Sequence, residues 1–369
     1  MYILIYGHNQ KDGEGSYIDT TFRGRISVRT LTRRLILLAA MTTPFAAHLD
    51  ANAQSNPQSN PQANTPGGPQ GWPAGTIKLV VPYPPGGSTD VIARLVQPCL
   101  QQRLGTNLII ENRAGASGSV GTAAVAKSPP DGGTWLMVFD NHAANPFVLP
   151  DLPYDTERDL DPVLFIGTAP YVVSTQAQKP FKTLADVIAT AKAKPGAVSY
   201  ASVGSGSVGH LAMALLSKQA GVRLVHVPYR GGGPAMNDAV AGHVDLLVGS
   251  TALSIPQIQV GTIRAVVQTG SARTPALGAV PTVAESGFPG FAANAWWGLF
   301  APAGTPKAIG ARFGAEVTAC VREDRVARQL TETQQVSLVL GGPEELRKFL
   351  ADQMRVWGAV AREQDIKAD

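Results

Sequence analysis

Charge is scarce: only 16% of the 369 residues are Asp, Glu, Lys or Arg, and the formal net charge is +4. Residues 1–53 hold six of the bases and four of the acids, so 25 bases face 23 acids in the remainder, a balance of +2. No concentrated basic run follows residue 54, which argues against a nucleic-acid partner. Two cysteines exclude a disulfide-built miniprotein and a cysteine-rich zinc module. After the leader only His142, His210, His226 and His243 remain, without paired ligand spacing, so neither a metal nor another cofactor is expected. What is abundant is apolar: 44% hydrophobic residues, enough for the cores of two ordinary domains.

Arg29, Arg33 and Arg34 precede Leu35-Ile36-Leu37-Leu38-Ala39-Ala40-Met41, and a small-residue stretch ends at Ala51-Asn52-Ala53. A positive segment, a short apolar run and an Ala-x-Ala site form a secretory signal peptide. The apolar run is too short for a permanent membrane span. The leader is therefore read as 1–53 with its signal core at 28–53, and export to the periplasm is expected. Residues 54–71, rich in Gln, Asn, Pro and Gly, read as a disordered tether. Export places Cys99 and Cys320 where a disulfide can persist; a bridge and two separate core thiols both remain open.

From Trp72 onward, short apolar runs alternate with helical stripes. Strands are expected at 77–81, 108–110, 134–139, 197–203, 223–227, 244–248, 263–268 and 336–340. Helices are expected near 91–104, 119–127, 183–194, 208–220, 234–241, 306–320 and 343–363, the first shortened or kinked by Pro98. Such alternation implies parallel sheets covered by helices. Extended segments at 163–175 and 291–302 read as two crossings between two α/β domains, 72–168 plus 298–369 and 169–297.

Three glycine-rich turns each follow a strand and precede a helix: Tyr83 to Asp90, Ser202 to His210, and Pro228 to Ala235. In the first, Gly86 and Gly87 let a ligand approach the backbone, and Ser88 or Thr89 is the expected helix cap. Unpaired N–H groups at the positive end of a helix dipole accept a carboxylate without Lys or Arg. In open α/β sheets these turns share the ligand-binding end of the strands. Asp90 caps its helix or accepts a ligand amine, and Asp245 stabilises a turn or joins the site. Gly204-x-Gly206-x-x-Gly209 matches a dinucleotide fingerprint, but no acid ends the next strand, which disfavours a nucleotide. Neither Ser205 nor Ser207 has glycines on both sides at the spacing a nucleophile elbow requires, so no hydrolytic centre is expected. Trp296 and Trp297 read as packing residues.

Several longer runs complete the pattern: Pro82-Tyr83-Pro84-Pro85-Gly86-Gly87-Ser88-Thr89-Asp90, Glu111-Asn112-Arg113-Ala114-Gly115-Ala116, Tyr200-Ala201-Ser202-Val203-Gly204-Ser205-Gly206-Ser207, Pro228-Tyr229-Arg230-Gly231-Gly232-Gly233-Pro234-Ala235, and Trp297-Gly298-Leu299-Phe300-Ala301-Pro302-Ala303-Gly304-Thr305-Pro306. In this order they resemble the extracytoplasmic solute-binding receptors of tripartite tricarboxylate transport systems, the Bordetella uptake proteins. The resemblance spans about residues 72–365. It departs at Arg113-Ala114, where Arg-Pro is usual, and at Gly133, where an aromatic is common. It implies a type II periplasmic-binding-protein (Venus flytrap) fold whose domains close on a small carboxylate. It implies no enzyme activity and a monomer that delivers its ligand to membrane permease subunits. Carried onto this chain, the ligand residues are Tyr83, Gly86, Gly87, Ser88, Thr89, Asp90, Asn141, His142, Ser202, Gly204, Ser205, Gly206, Ser207 and His210, with Tyr229, Gly232 and Asp245 nearby. Two rivals stand beside this reading: an exported sensor serving a membrane signalling partner, and a two-domain enzyme using a nucleotide.

Overall fold

A computed structural model describes residues 71–368. The leader over 1–53 and, apart from Gly71, the tether over 54–71 lie outside the described residues. The first series of elements is β1 (Ile77–Val81), α1 (Ser88–Leu104), β2 (Leu108–Asn112), α2 (Ser119–Ala126), β3 (Thr134–Phe139), α3 (Asn141–Val148) and β4 (Leu160–Gln176). There follow α4 (Leu184–Ala193), β5 (Ser199–Ser202), α5 (Val208–Ala220), β6 (Val225–Pro228), α6 (Gly232–Ala241), β7 (Leu246–Ser250), α7 (Thr251–Gln259) and β8 (Ile263–Gln268). The chain ends with β9 (Asn294–Pro302), α8 (Lys307–Val321), α9 (Asp324–Arg328), β10 (Ser337–Gly341) and α10 (Pro343–Glu363).

The strand order is β2-β1-β3-β9-β4-β7-β5-β6, with β8 and β10 also paired to β4. Parallel pairing holds within two groups, β2-β1-β3 and β6-β5-β7. Each of these strands is followed by a helix that returns over the sheet, as parallel neighbours require. The long strands break the expected all-parallel pattern: β4 is antiparallel to β7, β8, β9 and β10, and β9 is antiparallel to β3. The two expected crossings therefore run side by side, from Leu160 opposite Pro302 to Pro170 opposite Asn294. Strand β4 serves both groups, because residues 160–170 pair with β9 and residues 171–176 with β7 and β8.

Burial explains the apolar runs. Strand β3 is buried from Trp135 to Phe139, and Trp135 stacks on Phe313 of α8 at 3.9 Å. Trp296 and Trp297 are fully buried in β9, consistent with packing. Three helical features depart from the periodicity. Pro98 neither shortens nor splits α1; it lies on the exposed side, where its ring meets solvent. Helices α3 and α7 contain Pro146 and Pro256, which mask them in the sequence because proline removes a helical N–H.

The open question of the cysteines is resolved as a bridge. Cys99 of α1 and Cys320 of α8 are joined with Cα atoms 5.7 Å apart across 221 residues of sequence. Arg103 Nε meets Glu316 Oε2 at 2.6 Å between the same helices. Closing so long a loop restricts the unfolded chain. The Cys99→Ala/Cys320→Ala variant is expected to lose about 2–5 kcal/mol in urea unfolding. Coincident unfolding curves for variant and oxidised wild type would contradict this.

Candidate functional site

The first glycine turn is held from within. Gly87, with φ −75° and ψ 164°, is the N-cap of α1; the expected caps Ser88 and Thr89 lie inside the helix instead. Asp90, in the third helical position, reaches back past the N-cap: its Oδ2 accepts the Gly86 N–H at 3.0 Å, and no side chain caps the first helical amides. Arg94 Nε donates to the same carboxylate at 3.0 Å and Asn112 Nδ2 at 2.9 Å. Asn112 also donates to the Tyr83 carbonyl at 3.1 Å. Asp90 is thus buried and fully engaged as a brace. The amides of Gly87, Ser88 and Thr89 have no hydrogen-bond partner among the described residues.

The second turn uses most of its own amides. Ser207 caps α5, accepting from the His210 N–H at 3.3 Å and donating to the Gly204 carbonyl at 2.8 Å. Ser202 Oγ clasps Gly204 at both ends, 2.9 Å from its carbonyl oxygen and 3.3 Å from its nitrogen. Ser207 N donates to Gly204 O at 3.2 Å, and Gly206 N donates to His210 Nδ1 at 3.1 Å. Of residues 204–207, only Ser205 keeps an unpartnered amide among the described residues. In the third turn, Tyr229 N and Gly231 N donate to Ser202 O and Val203 O, each at 3.1 Å. Gly232 and Gly233 retain unpartnered amides.

These turns touch. A Cβ on Gly87 would lie 3.9 Å from Gly232 N, and one on Gly231 (φ +112°) would sit 2.8 Å from Pro84 Cδ. The second turn joins through Ser117 and Asn145, which the sequence reading overlooked, together with Tyr83 and Asn141, which it named. Ser117 Oγ donates to Ser205 O at 2.8 Å, and the Ser117 carbonyl accepts from Asn145 Nδ2 at 3.1 Å and from Asn141 Nδ2. Asn141 and Asn145 stand four apart on α3 and so share one helix face. Tyr83 OH donates to Asn141 Oδ1 at 2.6 Å and accepts the Phe139 N–H at 3.0 Å. A chain of polar contacts thus runs from the first turn to the second. The signal for Ser117 was its flanking Gly115 and Gly118, which hold positive φ of +147° and +86°.

Four expected residues lie differently. His142 is buried against Phe300 and Tyr154, with ring centroids at 5.0 and 6.3 Å, and burial pushes its imidazole down to about 3. It faces the interior of the first strand group. Asp245 lies at the opposite end of its strand group from the turns, where it accepts from Lys179 Nζ at 2.7 Å and from Ser199 N and Oγ at 2.9 Å. Tyr229 turns its hydroxyl to Asp238 of α6 at 2.6 Å. His210 uses its ring on Gly206 and stacks on His226 at 3.6 Å.

One further acid lies beside the turns. Asp140, fully buried after β3, accepts from Tyr171 OH. Burial raises its carboxyl well above the usual range, while Tyr171 and the amides of Val208 and Asn141 act the other way.

Comparison with known proteins gives a family and a fold. The family model for tripartite tricarboxylate transporter family receptors matches residues 92–366. Rpa4515 of R. palustris, solved with adipate, is 33% identical with TM-score 0.77, covering 80% of this chain and 99% of that one. MatC (Rpa3494) from Rhodopseudomonas palustris, solved with malate, is 31% identical with TM-score 0.72, covering 78% and 99%. The periplasmic binding protein BugD is 27% identical with TM-score 0.76, covering 81% and 100%. The fold is that of these periplasmic binding proteins, as the sequence led one to expect.

The brace on the first turn has a pH signature. Burial alone would raise the Asp90 carboxyl, but Arg94, the Gly86 amide and Asn112 together hold it below its ordinary 3.8. A carboxyl lowered on folding adds stability that is complete above pH 3.8 and is lost below it, as pH falls through the lower value of the folded state. Asp90→Asn should therefore cost about 1–3 kcal/mol at pH 7 and less at pH 2, read by urea unfolding. An equal cost at both pH values would contradict the brace.

Proposed function

Since this chain belongs to the tripartite tricarboxylate transporter receptor family, we propose that it captures a small carboxylate with the unengaged amides of its glycine turns. The family is one of periplasmic, substrate-binding receptors. The observation that carries the proposal is the meeting of three turns whose N–H groups on Gly87, Ser88, Thr89, Ser205, Gly232 and Gly233 have no hydrogen-bond partner among the described residues. The N-termini of α1, α5 and α6 start at these turns, and their dipoles favour an anion there. The Ser88 and Ser205 hydroxyls are half-buried and make no bond among the described residues, so they add two donors. The related receptors solved with adipate and malate support a carboxylate as the guest.

Capture proceeds without chemistry. Residues 72–168 with 298–369 form one lobe and 169–297 the other, with β4 and β9 as the crossings. A carboxylate that bonds the first turn from one lobe and the second and third turns from the other binds the shut form more tightly than the open one. That difference in affinity drives closure. The leader exports the chain, and the shut monomer presents its cargo to the permease subunits of its transporter. Asp90 contributes structure to this site and no contact to the guest, and Asp245 and His142 lie away from it.

A thermal-shift screen of the exported form with malate, adipate, amino acids and aromatic acids tests the reading, since a guest that binds the folded state raises the melting temperature. Gly87→Pro then tests the site itself. Gly87 already has φ −75°, which suits proline, so the substitution deletes one N–H with little strain. Losing one hydrogen bond to a charged guest should weaken binding roughly tenfold or more in calorimetry. Undiminished affinity in that variant would remove the first turn from the site.

A further inference from the structure

His226 touches none of the free amides, yet it stands behind one of them. It lies on β6 opposite Tyr200 of β5, whose ring centroid is 5.1 Å away. Its ring stacks on His210 at 3.6 Å with 12° between the planes, and its Nε2 lies 2.7 Å from Ser202 Oγ. Burial holds His226 at about 4, and burial together with its neighbour holds His210 at about 3. Both rings are therefore neutral at pH 7, each with one N–H to place. For His210 the place is settled: Nδ1 accepts from Gly206, so the proton sits on Nε2.

Ser202 sets the second condition. Its hydroxyl has a single proton and two neighbours able to take it, the Gly204 carbonyl and His226 Nε2. We propose that His226 is a positioning residue for the second turn, protonated at Nε2 and donating to Ser202, so that the Ser202 proton goes to the Gly204 carbonyl. That oxygen then receives Ser202 OH, Ser207 OH and Ser207 N–H, at 2.9, 2.8 and 3.2 Å. Three donors pull it inward. The peptide that follows is planar and trans, so the Ser205 N–H must point the opposite way. The free amide of the second turn is aimed outward by an imidazole two contacts behind it. Protonation at Nδ1 instead would draw the Ser202 proton to His226 and strip one donor from Gly204. This inference rests on the proposed carboxylate site for its consequence, though its first test does not.

Nitrogen-15 NMR of the imidazoles in the full exported chain at pH 7, without any guest, reads the tautomer. A proton on Nε2 of His226 is expected; a bare Nε2 overturns the inference. Calorimetry with malate and adipate as probes reads the consequence. His226→Phe keeps a stacked ring and loses the donor, and should weaken binding by about tenfold. His226→Gln restores an N–H near Nε2 while losing the ring, and should stay within about threefold of wild type. If His226 served packing alone, His226→Gln would fall further than His226→Phe, in step with the melting temperatures, and that order also overturns the inference. Failure of both probes to bind wild type would count against carboxylate capture by these acids, and the NMR result would still decide the tautomer.

Discussion

A peptide N–H already bonded inside a protein has nothing left for a guest, and a free one is useful only if its direction is held. The turns of this chain are organised by that constraint. Glycine allows the backbone to bend and a guest to come close, but it leaves the resulting amides uncommitted in orientation. Here some amides are engaged so that their neighbours stay free. Gly86 is held by Asp90, Gly206 by His210, and Gly204 by the hydroxyls of Ser202 and Ser207. Between these anchors remain Gly87, Ser88, Thr89 and Ser205.

The charged residues nearest the first turn follow from the same constraint. Asp90 is buried, and a buried carboxylate is costly unless its lone pairs are met. Arg94, Asn112 and Gly86 meet them. The carboxylate is consequently closed to a ligand amine, and its contribution to the proposed grip is geometric. The positive potential offered to an anion then comes mainly from helix starts, which requires no mobile cation to be ordered on binding.

The fold brings these anchors together from distant parts of the chain. Ser117 and Ser205 are 88 residues apart, and Tyr83 and Asn141 are 58 apart. The second meeting follows from the direct pairing of β1 with β3; the first depends on β4 and β9, which run antiparallel through the middle of the strand order and join the two parallel groups. Helix α3 contributes by presenting Asn141 and Asn145 on one face to the Ser117 carbonyl. The Cys99–Cys320 bridge fastens α1, the helix that begins at the first turn, to α8.

Much of this was legible from the chain alone, because it depends on neighbours in sequence. Apolar alternation placed most of the strands and helices, and the glycine turns between them were evident from the residues that permit tight bends. The ordered motifs identified the receptor family before any coordinates. Other features depended on which side of an element a residue faces and what lies across from it. Asp245 precedes β7 and Ser202 ends the neighbouring β5, so they lie at opposite ends of that strand pair; His142 and Asn141 are adjacent, yet one faces the core and the other the turns. The pairing of the cysteines, the contact of Asp90 with Asn112 and the stacking of His210 on His226 are likewise contacts between separate elements. Periodicity carries no information on such contacts, because hydrogen bonding and packing between distant segments are set only when the chain closes on itself.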